Sequence, residues 1–465
     1  MSIIIPANSA AGGGFEVANS VRMNRSSSDS LSRTQSASPT SATKGTLSFW
    51  IKRSLIGTAQ YYMSTFQDSN NRIQSEFQAN DTLRIIQKNS ASTTINIITN
   101  RVFRDPNAFY HVVLAFDTTQ GTSSNRVKLY INGVQETSFS TASYPGSGID
   151  SFLTKGTSVS LGAYNNSGDY TSAYFAEMVL IDGQQLDPTS FGEFDEDSGV
   201  WKAIDVSGLT FGTNGYYLDF EDSSALGNDA AGSNNFTANN ITAIDQSTDT
   251  CTNNGMTWNV LWSQSNGNVG DVVFSEGNLT STTNASYRTY PGTIGVSSGK
   301  WYWEIKRTNT DNDLHTGIMS ELATPAQTAT WIGSQANGWV YAAGSGSTYT
   351  GNSETNTGYS ATGNGGIISV AFDADNGKIY FGVNGTWQGS GNPATGSNPA
   401  YTGLDTSLIY FPCASTGSNL QANFGSPPYG VSSTNADANN YGDFEYAVPS
   451  GYLTLNTKNL SEALS

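Results

Sequence analysis

Two stretches decide the fold: Val127–Gln135 (VKLYINGVQ) and Lys378–Trp387 (KIYFGVNGTW). In the first, Val127, Leu129 and Ile131 point to one side of an extended chain; in the second, Ile379, Phe381 and Val383 do the same. Each run ends in Asn-Gly, at Asn132-Gly133 and Asn384-Gly385. That pair closes two-residue hairpins because both residues tolerate positive φ. Working outward, runs such as Thr46–Ile51 (TLSFWI) are β-branched and aromatic, bounded by Gly, Asn and Ser clusters. No run of helical period with helical caps stands out, so the chain reads as all-β with loops of small polar residues.

Composition narrows the function classes. The 465 residues carry 21 Lys+Arg against 38 Asp+Glu, a formal net charge of −17, and charged residues are only 13%. Aromatics at 11% exclude a disordered chain, which is poor in core-forming residues. The acidic balance argues against a nucleic-acid partner, whose phosphates demand a basic face. No apolar run approaches the ~20 residues that span a bilayer, so no membrane insertion is expected. Met1–Pro6 has no basic region and does not read as a signal peptide. Cys251 and Cys413 cannot make a disulfide framework, and whether they pair is left open. His111 and His315 are the only histidines, which speaks against histidine-based catalysis and against a His/Cys zinc site.

Two blocks of sequence carry family resemblances. Ser28–Thr34, Gly45–Arg53 (GTLSFWIKR), Tyr110–Asp117 (YHVVLAFD), Arg126–Gln135 and Tyr174–Gln184 resemble, in order, a LamG-like jelly roll. Ser298–Lys306 (SGKWYWEIK), His315–Met319, Asn337–Tyr341, Gly365–Thr386, Tyr410–Pro412 and Ala422–Pro428 resemble a SPRY domain. The resemblances imply two concanavalin A-like β-sandwiches joined by a loop-rich connector. The expected organisation is a flexible or virion-docking N-terminal segment at 1–14, the jelly roll at 15–185 and the connector at 186–255. The SPRY-like sandwich at 256–448 and a C-terminal tail at 449–465 follow. Asp182–Trp201, Asn214–Asn240 and Val448–Leu460 are in turn similar to phrases in structural proteins of marine tailed bacteriophages.

Candidate chemistry is sparse. Glu193-Phe194-Asp195-Glu196-Asp197 approaches the E-x-D-x-E of jelly-roll glucanases, but its last carboxylate is one carbon short and it follows Pro188 in a loop. Gly295-Val296-Ser297-Ser298-Gly299 satisfies G-x-S-x-G, yet a strand follows it where a nucleophile elbow needs a helix. Asp373–Gly377 misses the EF-hand spacing. Asp195 and Asp197 are the candidate metal ligands, for a structural Ca2+; Asp117, Asp311 and Asp313 sit in similar oxygen-rich loops. Tyr164, Tyr170, Tyr341, Tyr349 and Tyr359 lie in or beside Gly/Ser/Asn loops, the composition of a paratope, and are the candidate ligand-binding residues.

Taken together these features lead us to expect a virion structural protein and not an enzyme. It would be a homotrimeric tail-fibre or spike component, in contact with other virion proteins and with a host cell-surface glycan or receptor. A passive head or tail decoration protein and a surface-polysaccharide depolymerase remain the alternatives.

Overall fold

The computed structural model describes residues 14–265, 272–283, 288–309, 314–416 and 419–462. It divides into two compact units, one ending at Thr252 and the other beginning at Asn253. No helix among the described residues is long and apolar enough to cross a membrane.

The first unit is a sandwich of β1 (Ser20–Met23), β2 (Ser30–Thr34), β3 (Lys44–Arg53), β4 (Gln60–Asp68), β5 (Asn71–Phe77), β6 (Thr82–Asn89), β7 (Ser92–Val102), β8 (Tyr110–Asp117), β9 (Val127–Ile131), β10 (Val134–Gln135), β11 (Phe139–Ser143), β12 (Ser158–Leu161) and β13 (Ala173–Asp182). Five shorter strands follow: β14 (Gly192–Phe194), β15 (Trp201–Ala203), β16 (Tyr216–Leu218), β17 (Thr237–Asn239) and β18 (Gln246–Ser247). One sheet runs β10-β9-β8-β3-β13-β1-β18, with β16 also on β13; the facing sheet runs β11-β7-β6-β5-β4-β12-β2-β17. Leu47, Phe49 and Ile51 of β3 and Val112, Leu114 and Phe116 of β8 fill the space between the sheets. The expected hairpin is present: Ile131 pairs with Val134, and Asn132 and Gly133 take φ of 49° and 77°.

Segment 186–252 is loop-rich, as expected, yet it is part of the first unit and not a connector between sandwiches. Its strands β16, β17 and β18 pair with β13, β2 and β1. Its side chains Phe191, Val206 and Tyr217 cover Val113, Ala115, Val179 and Ile181 on the outer face of the sheet. The physical reason lies in β13, AYFAEMVLID, which is buried on both faces. A bulge between Ala176 and Val179 switches the core-facing set from Phe175 to Met178 and Leu180, and puts Glu177 at φ 49°. The outward Trp50, Val179 and Ile181 are apolar, so that face needs a second cover.

Gly133 shows how tightly the cover sits. Its φ is 77°, and a Cβ there would lie 2.3 Å from the Trp201 ring. Gly133→Ala is therefore expected to destabilise the first unit by about 2–4 kcal/mol in chemical denaturation, from left-handed strain plus overpacking.

The second unit repeats the plan. Its strands are β19 (Val272–Ser275), β20 (Thr280–Thr283), β21 (Arg288–Pro291), β22 (Lys300–Arg307), β23 (His315–Ser320), β24 (Gly338–Ala342), β25 (Ser347–Thr350), β26 (Ser353–Thr357), β27 (Ile367–Asp373), β28 (Lys378–Val383), β29 (Thr386–Trp387), β30 (Tyr410–Thr416), β31 (Leu420–Asn423) and β32 (Leu453–Thr454). One sheet runs β19-β20-β31-β22-β27-β28-β29 and the other β21-β30-β23-β24-β25-β26. Asn384 and Gly385 turn the second hairpin at φ 49° and 79°. Trp301, Trp303 and Ile305 face the core, whereas Tyr302 and Glu304 face outward. That outer face is covered by Phe444 and Tyr452, and β32 runs parallel beside β22. The described part of 449–465 is thus integral to the second unit and is not a tail. Buried Glu304 fastens the cover: its carboxylate accepts from Tyr302 Oη (2.9 Å), Asn423 Nδ2 (3.2 Å) and the backbone N–H of Glu445 (3.0 Å) and Tyr446 (2.8 Å).

Candidate functional site

A polar cleft of about 410 Å³ opens on the first unit, on the sheet that contains β2. Ser32, Arg33 and Thr34 supply one wall, with Ser36 and Ala37 beyond them. Ser158 of β12 and Asn166 of the loop before β13 add a second wall. The covering segment closes it with Ser233, Asn234, Asn235 and Thr237. Hydroxyls, amides and one guanidinium line the cleft, and no carboxylate does.

Arg33 organises this surface. Its Nη1 donates to the Asn214 carbonyl at 3.1 Å and its Nη2 to Asn234 Oδ1 at 2.5 Å, and the guanidinium lies 5.9 Å from the Phe236 ring centre. Burial draws its pKa below the ordinary arginine value, with Tyr216 and Asp229 acting the other way. Asn234 is pinned in turn, donating from Nδ2 to the carbonyls of Gly215 (2.6 Å) and Thr213 (3.0 Å). The cleft is therefore preorganised by groups far apart in the chain. Neither Arg33 nor Asn234 was singled out from the sequence. The available signal was a rare cation on a strand in a charge-poor chain.

The five candidate tyrosines separate. Tyr164 and Tyr170 sit half-buried on the loop that brings Asn166 to the cleft. Tyr164 packs against Tyr61 (4.9 Å) and Phe66 (5.2 Å), and Tyr170 Oη donates to the Asn166 carbonyl at 3.3 Å. Tyr349 and Tyr359 are half-buried in the second unit. Tyr349 meets Trp331 edge-on at 5.2 Å and donates to Glu354 Oε1 at 3.1 Å, whereas Tyr359 packs over Gly389. Tyr341 is a correction. It is fully buried in β24, its ring in the core and its hydroxyl donating to the Ser360 carbonyl, so it offers no face to a ligand. Alternation along β24 turns it inward, which the neighbouring glycine-rich loop had obscured.

The carboxylate candidates do not fit a calcium ion. Asp195 Oδ1 accepts from the backbone N–H of Asp197 (3.2 Å) and Ser198 (2.9 Å) and from Ser198 Oγ (2.8 Å). Its Oδ2 takes Lys202 Nζ at 3.2 Å, and Lys202 also reaches Glu193. These bonds, the Ser198 backbone first, hold the Asp195 carboxyl down at about 2. Lys202 thus brings its own positive charge to the Glu193 and Asp195 carboxylates that a cation would need, and Asp197 donates its backbone N–H to Asp195. Asp117 is likewise engaged by Thr119, Gln120 and Lys44, and Asp311 and Asp313 lie outside the described residues. Among the described residues no group of three or more His, Cys, Asp or Glu is placed to hold a metal.

His111 is engaged structurally. It stacks between Trp50 (4.6 Å) and Trp201 (5.9 Å), accepts at Nδ1 from Trp201 Nε1 (2.9 Å) and lies 2.8 Å through Nε2 from Ser48 Oγ. An accepting Nδ1 means a neutral ring with its proton on Nε2. Complete burial holds its pKa at about 3. Nearby on the same outer face of β13, Glu177 is pushed up to about 8, chiefly by burial, and accepts from Tyr217 Oη at 2.7 Å. At Gly295–Gly299 the serine pattern leads directly into β22, with no helix.

With this geometry in view, comparison with known proteins assigns both sandwiches. Residues 25–185 match the model of the concanavalin A-like lectin/glucanases superfamily, and residues 300–427 match the SPRY domain model. The chain carries a LamG-like domain followed by a SPRY domain. No curated protein matches it. Among solved structures, the SPRY domain of human HERC1 is 20% identical with a TM-score of 0.26, over 32% of this chain and 91% of that one. A candidate carbohydrate-binding protein from Bacteroides ovatus is 13% identical at a TM-score of 0.32, over 48% and 57%. A heptameric SAP-like pentraxin from Limulus polyphemus is 17% identical at 0.27, over 37% and 80%. The LamG-like and SPRY matches stop short of segments 186–252 and 428–462, the two covers.

Proposed function

We propose that this chain is a structural protein of a bacteriophage virion, of tail-fibre or spike type, whose LamG-like domain binds host-surface glycan. The observation that carries the binding is the cleft around Arg33: an open, preorganised surface of hydroxyl and amide groups. Such groups exchange hydrogen bonds with sugar hydroxyls in pairs, and the loop of Asn166, Tyr164 and Tyr170 borders them. The virion role rests on the phrases around Asp182–Trp201 and Val448–Leu460 that are similar to phage structural proteins. One shallow cleft gives weak affinity, and a homotrimer raises it through effective concentration.

The test is retention of host capsule or lipopolysaccharide by the immobilised protein, with reducing ends assayed alongside. Retention without release of reducing ends is the expected result, and Asn166→Ala is expected to weaken it about three- to tenfold, the worth of about one hydrogen bond. Release of reducing ends would favour the depolymerase, and absence of retention would overturn glycan binding. For the virion role, antibody labelling of particles and the solution mass decide: a monomer absent from the particle ends that part of the reading.

A further inference from the structure

We infer that the cleft selects an acidic saccharide, with Arg33 meeting a uronate carboxylate or a sulfate ester on the sugar. This rests on the glycan reading above and narrows its ligand class. The chain as a whole is strongly acidic, with a net charge of −17, so a polyanion is repelled by most of its surface. The cleft has a different character. Its only charged lining residue is Arg33, and Ser, Thr and Asn make up nearly all of the rest.

Three features suit Arg33 to that role. First, no carboxylate among the described residues lies within ion-pair distance of it, so its positive charge is not neutralised by direct contact. The carboxylate that acts on it electrostatically, Asp229, spends its oxygens elsewhere. It accepts from the backbone N–H of Tyr217 (2.9 Å), Ala231 (3.1 Å) and Asn234 (2.8 Å). Second, the protein engages only two of the guanidinium's five N–H donors, with Asn214 and Asn234, so its hydrogen-bonding capacity is not saturated at the cleft it lines. Third, those two bonds and the Phe236 ring hold it half-buried and in place, so little side-chain entropy is lost on binding. A planar guanidinium matches the paired oxygens of a carboxylate or sulfate, and the surrounding hydroxyl and amide groups suit the remaining sugar hydroxyls. A free inorganic anion would use the guanidinium and leave most of a 410 Å³ cleft untouched.

The experiment is titration of the full chain with three oligosaccharides of equal length: an oligogalacturonate, a sulfated galactan fragment and a neutral galactan fragment. Each is measured by calorimetry at low and high salt. One or both acidic probes are expected to bind at least about tenfold tighter than the neutral one, the worth of a charge-assisted hydrogen bond, and salt should erode only that advantage. The better acid identifies the group that Arg33 meets. Ser36→Asp places a carboxylate at an exposed position of the cleft, and Arg33→Gln removes the charge. Both are expected to cut the acid-to-neutral affinity ratio about tenfold, with the melting transition confirming that each variant is folded. Equal binding of acidic and neutral probes overturns the inference and leaves the glycan reading standing. An acid preference that survives in folded Ser36→Asp overturns the assignment to this cleft. If no probe and no host polysaccharide binds, the glycan reading fails and the inference with it.

Discussion

The stability of the LamG-like domain is expected to peak between about pH 4.5 and 6.5 and to fall on both sides, because two buried groups on one sheet face titrate in opposite senses. His111 has an ordinary value of 6.5 and a folded value of about 3. Between those limits the unfolded chain binds the proton that the folded ring refuses, so stability is lost as pH falls from 6.5 towards 3. Glu177 has an ordinary value of 4.5 and a folded value of about 8. There the folded state holds the extra proton, so stability is lost as pH rises from 4.5 towards 8. Each window is worth up to about 5 kcal/mol. Where the windows overlap the two slopes cancel; of these two groups, only His111 acts below 4.5 and only Glu177 above 6.5. Urea melts of the full chain across pH 3–8 check this. Glu177→Gln is expected to abolish the alkaline loss and to leave the acid one. A first-unit transition that gains stability from pH 6.5 to 8 would contradict the assignment.

The second large effect is expected at the buried ion pair that fastens the covering segment to the first sandwich. Lys52 Nζ and Asp249 Oδ2 are 2.7 Å apart, with side chains 2% and 5% exposed. The rings of Tyr174 (5.4 Å) and Phe109 (5.9 Å) lie beside the ammonium. Asp249→Ala removes the carboxylate that faces this buried ammonium and is expected to cost about 3–5 kcal/mol, a large share of a domain's stability. Replacing both partners with apolar residues, Lys52→Met with Asp249→Leu, removes the desolvation penalty together with the attraction. The double variant is expected to recover most of the loss. Denaturant midpoints of the two singles and the double complete the cycle; a single variant costing less than about 1 kcal/mol would show that the pair does not hold the segment.

Both effects arise where reading the sequence was least complete. The strands of the two sandwiches were legible because alternation and Asn-Gly turns are local signals, and Val127–Gln135 and Lys378–Trp387 fold as their patterns dictate. The covers were not. Segment 186–252 has strands of only two or three residues, and its Gly, Asn and Ser content reads as linker. What recruits it is the apolar outer face of β3 and β13, visible only once the inner face is known to be filled as well. Tyr341 misled for a related reason: its place in β24 outweighed the loop beside it. Trp201 and His111, ninety residues apart, carried no shared signal at all, yet they make one hydrogen-bonded stack.

The candidate site divides in the same way. By itself the sequence determined an all-β chain, two sandwiches in order, an acidic and charge-poor surface, and loops rich in hydroxyl and amide groups. It could not place Arg33 beside Asn234 and Asn166, because those residues come from a strand, a covering loop and a connecting loop. Only the packing of segment 186–252 over the first sandwich brings them together. Local pattern sets which residues form strands, since that depends on neighbours one and two positions away. Long-range packing sets which loops meet, since that depends on which sheet faces remain to be buried.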